Sequence, residues 1–334
     1  MWGNDIILLN VNCKYVQKVL IFIILHHTTL ELTVFKLKFI QEIFSRKINR
    51  YYLFCLEIRL MNNIKIIIAT HKFYKMPKDN IYLPVHVGAE GKTDEKGNPL
   101  DLGYVKDNTG ENISQKNPSF CELTGFYWAW KNLDADFLGL AHYRRHFSFK
   151  KKSKNPFDNI LTSREAKYLT SKYSVIVPKK RKYYIETLYS HYAHTHYAEH
   201  LDETRKIIKK LYPDYLHSYD VVVNRTYGYM FNMMIMKKEL FSDYCEWLFT
   251  ILFELEKRMK HKKEELSAFQ GRFYGRVSEI IFNVWLEYNI ENGKISPSEI
   301  KEVPYIYTEK INWKNKIFSF IKAKFGHKKY EGSF

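Results

Sequence analysis

The sequence predicts an α/β protein of the nucleotide-binding kind. Two apolar runs of strand length, Ile64–Thr70 and Phe137–Ala141, each stop abruptly at a polar, basic cluster. Between and after them lie segments with helical apolar spacing and further short apolar runs, the alternation expected of strands crossed by helices. In open sheets of this kind, reactive and binding groups sit just past the carboxyl ends of the strands. The residues after Thr70 and after Ala141 are therefore the first place to look for function.

Size and composition narrow the class. The 334 residues suffice for one large α/β domain or two smaller ones, and 46% apolar residues provide an ample core. The formal charge of +17 implies anionic company: nucleotide, nucleic acid or an anionic membrane surface. No RNA-binding or helix-turn-helix signature is present, which argues against nucleic acid as a partner. Cys13, Cys55, Cys121 and Cys245 form no C-x-x-C pair. They read as buried thiols of a reducing compartment, hence a cytoplasmic protein. The apolar run Val19–Leu25 is too short to span a bilayer, and no small-residue cleavage site follows it.

Residues 1–60 mix Ile, Leu, Phe and Lys without a clear period and contain few turn residues. We read them as an atypical extension upstream of a start at Met61; the alternative is a helix packed on the domain or on a membrane. The main domain is expected over 61–300. Ile64–Thr70 opens it as a buried strand, and Thr70, His71 and Lys72 close that strand where a nucleotide would approach. Residues 71–116 are rich in Gly and Pro, and so long an irregular stretch is more often a binding loop than filler. Within it, Leu83–Gly88 reads as a short edge strand, where Pro84 is tolerated.

Asn117-Pro118-Ser119 marks a helix start, with Asn117 as cap and Glu122 placed to assist; the helix is expected to run to about Asn132. Trp128 and Trp130 on it read as packing residues. The acidic turn Asp134-Ala135-Asp136 follows, then the strand Phe137–Ala141, then His142, Tyr143, Arg144, Arg145 and His146. Adjacent arginines suit an anion, because guanidinium forks match phosphate oxygens. A solvated basic loop is the plainer alternative.

Downstream, Tyr173–Pro178 reads as a strand, Tyr184–Lys210 as a helix, Tyr219–Val223 and Met230–Met236 as strands, and Leu240–Lys260 as a long amphipathic helix. His196 and His200 stand four apart, a spacing that suits a metal on one helix face, but no carboxylate or cysteine completes the set. Gly275–Glu279 opens a last domain helix, with Ser278 or a neighbour placed to cap it and Glu279 placed to offset the helix dipole. From Ile311 onward, apolar residues alternate with lysines in a basic amphipathic pattern, and residues 301–334 read as a tail. From Lys310 onward, seven lysines against Glu331 suit an anionic membrane surface; a helix docked on the domain is the alternative.

Several ordered blocks resemble one family: IIIATHKFYKMP ending at Pro77, DNTGENIS at 107–114, the whole of 117–147, YYIETLYSHY at 183–192, FNMMIMKKELFSDYCEWLF at 231–249 and VSEIIFNVWL at 277–286. The resemblance is to the bacterial capsular polysaccharide and lipopolysaccharide O-antigen glycosyltransferases catalogued as domain of unknown function 4422. It implies a GT-A-like, Rossmann-type nucleotide-sugar-binding fold with a central, mostly parallel sheet flanked by helices. It implies a UDP-sugar donor, a growing lipid-linked glycan as acceptor, and action at the inner face of the cell membrane. Some members transfer galactofuranose.

The resemblance sharpens the reading of residues. Many GT-A enzymes hold a divalent metal with an Asp-x-Asp after a central strand; here His142, Tyr143, Arg144 and Arg145 occupy that place. We expect the arginines to replace the metal against the diphosphate, so that no cofactor is required. Asp134 and Asp136 spell the acidic motif but precede the strand, at the opposite sheet edge, so a structural role is expected for them. Thr70, His71 and Lys72 are expected at the donor and Asn232 at its sugar hydroxyls. Glu279 is the expected base for the acceptor hydroxyl, with Asp220 as fallback.

Overall fold

The computed structural model describes residues 62–149, 153–309, 324 and 329–332. The expected 1–60 extension, and the expected amphipathic tail apart from Lys324 and residues 329–332, lie outside the described residues. Among the described residues no helix is long and apolar enough to cross a membrane.

The domain is mixed α/β, with a central sheet flanked by helices. Its main path runs β10 (Ile300–Val303), β6 (Val175–Pro178), β9 (Met234–Lys237), β4 (Phe137–His142), β1 (Ile64–Thr70), β2 (Tyr82–His86) and β3 (Val105–Lys106). Every pairing along it is parallel except those of β9, which runs against both β4 and β6. β1 forms because its run of β-branched isoleucines fits a strand covered on both faces; Ile66, Ile67 and Ile68 are fully buried. β4 extends into a hairpin with β5 (Arg145–Phe147), which pairs with β11 (Tyr305–Tyr307). The domain therefore runs past residue 300, where the sequence pattern suggested that a tail begins. A two-stranded ribbon, β7 (Arg181–Lys182) with β8 (Tyr227–Gly228), stands apart from this sheet.

Helices Leu123–Asn132 and Lys238–Glu264 pack on β4, the first also on β1 and the second also on β9; helix Ser163–Thr170 packs on β1 and β6. Trp128 and Trp130 are packing residues, their ring N–H groups donating to Thr109 and Ser242.

Four elements differ from expectation. The helix expected from Asn117 to Asn132 is broken at Cys121, whose φ is 55°. There the Asn117 amide donates to the Cys121 carbonyl at 2.7 Å instead of capping the helix. The expected strand Tyr219–Val223 is a helix, Leu216–Val223. Ser218, Tyr219, Val222 and Val223 bury one helical stripe, and that packing outweighs the β-propensity of three valines. The histidine-rich segment is two helices, Leu188–Thr195 and Glu199–Leu211, the first capped by Thr187. Finally, β9 begins only at Met234, because Phe231 and Asn232 take left-handed backbone angles.

Gly139 lies where β4 meets β9. A Cβ there would come within 2.7 Å of the Met234 carbonyl oxygen and 2.9 Å of the Ile235 side chain. Backbone cannot yield as a flexible side chain can, so we predict that Gly139→Ala costs about 2 kcal/mol. Urea unfolding of the two proteins checks this; equal midpoints at equal slopes would mean that the strands separate freely.

Candidate active site

β1 and β4 are parallel neighbours in a register that sets Ala69 opposite His142. Their carboxyl ends therefore deliver Thr70–Lys72 and His142–Arg145 to one edge of the sheet. Thr70 is buried, and its hydroxyl donates to the Lys72 carbonyl at 2.7 Å, closing the turn. His71 stands edge-on to Tyr143 at 5.6 Å, and Tyr143 stacks on Tyr74 at 4.0 Å. Local desolvation, then the charges of Lys72, Arg272 and Arg144, hold the His71 pKa below its ordinary value.

The β4–β5 turn sends its residues apart. His142 hydrogen-bonds the Phe231 carbonyl, and burial lowers its pKa, against the pull of Glu122. Arg144, at the tip, lies beside Glu309 at 3.9 Å. Arg145 re-enters the sheet opposite His142, with its guanidinium over the Phe231 ring at 3.7 Å and the Tyr307 ring at 5.0 Å. Its Nε is buried with no hydrogen-bond partner among the described residues. The expected arginine pair is thus split: Arg145 lines a cleft and Arg144 does not.

That cleft measures about 250 Å³. Arg145, Arg181, Arg276, Glu279, Tyr183 and His191 give it its chemistry, and Tyr330 forms part of one wall. Tyr330 is tied down by its N–H to the Thr195 carbonyl at 3.1 Å and by Gln270, which donates to the Tyr330 carbonyl at 2.6 Å. Helix Phe273–Glu291 starts two residues earlier than the sequence suggests, so Glu279 stands in its second turn, facing the cleft rather than guarding the helix end. Burial raises the Glu279 pKa from 4.5 to about 7, and repulsion from Glu122 adds to this. The Phe231 N–H and the charges of Arg145 and Arg181 pull the other way. The result is a carboxyl group able to take or give a proton near neutrality.

Phe231 ties these groups together. Its backbone draws the Glu279 pKa back down, its carbonyl meets the His142 ring and its own ring supports Arg145. To do so it adopts φ of 78°, and Asn232 follows at 53°. For a non-glycine residue such angles cost on the order of 1–3 kcal/mol each and persist only when the surroundings enforce them. The Asn232 side chain supplies the enforcement. It donates to Glu122 at 2.8 Å and to the Gly275 carbonyl at 2.9 Å, and accepts from Ser278 at 2.7 Å. This corrects three expectations. Asn232 is a buried clamp with its amide committed to protein groups, Ser278 is part of that clamp and not a cap, and Glu122 serves Asn232 and not the helix start.

Of the other expected residues, His196 lines the cleft and the rest do not. Asp220 is held by Arg205 in a two-point ion pair, both distances 2.7 Å, and does not line the cleft. Asp136 accepts from the Asn63 N–H at 2.6 Å and Asp134 pairs with Lys238 at 2.6 Å, both at the amino end of β1 and β4. His196 bonds Gln270 and His200 bonds Tyr192, and burial drops both pKa values to about 3. Among the described residues no group of three His, Cys, Asp or Glu is placed to hold a metal ion. Sequence reasoning missed Arg181 and Arg276. Arg181 is hidden in the basic run 179–182, but Arg276 stands three residues before Glu279 and was legible as a same-face neighbour.

Over residues 65–290 the chain matches the family described as a domain of unknown function, DUF4422. No curated protein matches it. Among solved structures it is similar to the apo form of WbbM, a bifunctional glycosyltransferase, at 29% identity and a TM-score of 0.64, over 75% of this chain. The match spans 46% of that protein, a little under half its length.

Two outcomes follow for stability. Asn232→Ala leaves Glu122 and Ser278 without their partner and should cost about 2 kcal/mol; an unchanged Tm would return Asn232 to the list of ligand-contacting residues. Glu279, with its folded pKa raised to about 7 from 4.5, favours the fold fully at low pH and progressively less as pH rises through 7. Glu279→Gln should therefore gain Tm relative to the unsubstituted protein between pH 5 and pH 8, as calorimetry would record.

Proposed function

Because the chain belongs to the DUF4422 family, we propose that it is a glycosyltransferase that moves a hexose from a UDP-sugar to a growing lipid-linked surface glycan. Its likeness to part of a bifunctional glycosyltransferase supports the reaction class. The observation that carries the reading is that Glu279, poised near pH 7, shares one cleft at the carboxyl end of β4 with Arg145, whose Nε has no hydrogen-bond partner among the described residues.

In this reading Glu279 takes the proton of the acceptor hydroxyl as its oxygen bonds to the anomeric carbon of the donor. The bond from that carbon to the phosphate oxygen breaks, and UDP leaves carrying the electron pair. Arg145 neutralises the charge that develops on the diphosphate, the electrostatic task a divalent ion performs in many such enzymes. The Arg144–Arg145 clamp expected from sequence thus becomes Arg145 alone, and metal independence rests on that fixed cation. His71 and Tyr143 stand where the strand ends would receive the nucleotide. The lysines after residue 310 would hold the enzyme to the anionic inner face of the membrane, where a lipid-linked acceptor is found. Galactofuranose is the first donor sugar to test.

The test is a screen of UDP-hexoses, including the furanose form, for hydrolysis and transfer with and without EDTA. Turnover should survive the chelator, and kcat/KM should rise with pH through about 7 as Glu279 loses its proton. Glu279→Gln should lower kcat by about 10²–10⁴-fold while still gaining Tm from UDP. Strict dependence on manganese or magnesium, or full turnover by Glu279→Gln, would falsify the mechanism. Failure of every UDP-sugar to raise the Tm would favour a non-catalytic scaffold.

A further inference from the structure

The cleft holds more positive charge than a donor diphosphate at Arg145 requires. Arg276 donates from Nη2 to the Phe269 carbonyl at 2.7 Å and lies over the Phe269 ring at 4.2 Å. Its Nη1 is buried and has no hydrogen-bond partner among the described residues. Arg181 lines the same cleft from the β7–β8 ribbon, 4.8 Å from the Tyr183 ring centroid. Among the described residues, neither guanidinium forms an ion pair with a carboxylate, and Glu279 is the one acidic residue in the lining. A proton-accepting Glu279 cannot also serve as the standing counter-ion of three arginines.

Buried charge without a partner is costly, and an anionic ligand would supply the partner that is missing here. Arg276 stands three residues before Glu279 on the same helix, so both side chains project from one face. Arg145 reaches the cleft from the sheet. An acceptor hydroxyl at Glu279 would thus have Arg145 on the sheet side and Arg276 on its own helix.

We infer that Arg276, with Arg181, forms an oxyanion site for the acceptor, so that the glycan accepted bears a phosphate or a carboxylate beside the reacting hydroxyl. This rests on the assignment above of Arg145 to the donor and Glu279 to the accepting hydroxyl. The guanidinium forks provide two-point donors for either oxyanion. The site also acts as a filter: a neutral sugar can accept a hydrogen bond from Arg276 but leaves its charge uncompensated, whereas an anionic one supplies both.

The experiment titrates UDP-saturated protein with inorganic phosphate, methyl glucuronide and methyl glucoside by calorimetry. Phosphate, the glucuronide or both should bind, the glucoside at least tenfold more weakly; which of the two binds better identifies the natural oxyanion. Arg276→Gln, which keeps a donor for the Phe269 carbonyl, should weaken the anion at least tenfold and UDP less than twofold. If that variant does not fold, Arg181→Gln carries the same comparison. Displacement of the anion by UDP, equal loss of UDP and anion affinity in Arg276→Gln, or equal binding of the glucoside overturns the inference. Absence of UDP binding to the unsubstituted protein overturns the glycosyltransferase reading instead, and titration of phosphate without UDP then still reports on Arg276.

Discussion

The site depends on one strained peptide. Phe231 and Asn232 are held in left-handed backbone angles just before β9, and that geometry lets one residue serve three functional side chains at once. In an extended conformation the Phe231 carbonyl would turn away from His142, which would lose its acceptor. The strain is balanced by the buried amide of Asn232, which ties the β9 loop to the Glu122 side chain and to helix Phe273–Glu291. The helix that carries Glu279 and Arg276 and the loop that supports Arg145 are thereby fixed to each other.

The arginines divide by what faces them. Arg205 meets Asp220 and Arg225 meets Glu287, each in a two-point pair that raises the pKa of the guanidinium. These are structural cations with resident partners. Arg276, by contrast, has burial as the largest influence on its pKa, which is lowered. The same residue type thus serves two purposes, and its partner distinguishes them better than its position in the sequence. Net charge alone could not make this distinction.

Much of the fold was legible. Ile64–Thr70 and Phe137–Ala141 were unambiguous because parallel strands buried on both faces read as continuous apolar runs. The long helix Lys238–Glu264 was legible from its stripe of buried residues. What failed was local. Val221–Val223 read as strand by propensity, yet their packing partners are helical. Asn117 has the chemistry of a cap but turns to the Cys121 carbonyl. In the site, the chain did not reveal the surroundings of Glu279, because its pKa depends on burial and then on Glu122 and Phe231, which are distant in sequence. Asn232 was chosen as a polar residue in a promising block; nothing in the chain signals that three protein groups already occupy its amide. Arg144 and Arg145 are chemically alike, and only the hairpin separates them.

That hairpin has a consequence for how such a chain can diverge. The identity of the inward guanidinium is set by counting from His142 around a two-residue tip. A single codon inserted or deleted there would retain both arginines and almost the whole composition, yet rotate the wrong one inward and swing its twin to the solvent side. Homologues with indels at this corner should therefore be judged by spacing, since the presence of two neighbouring basic letters says nothing about which of them reaches the interior.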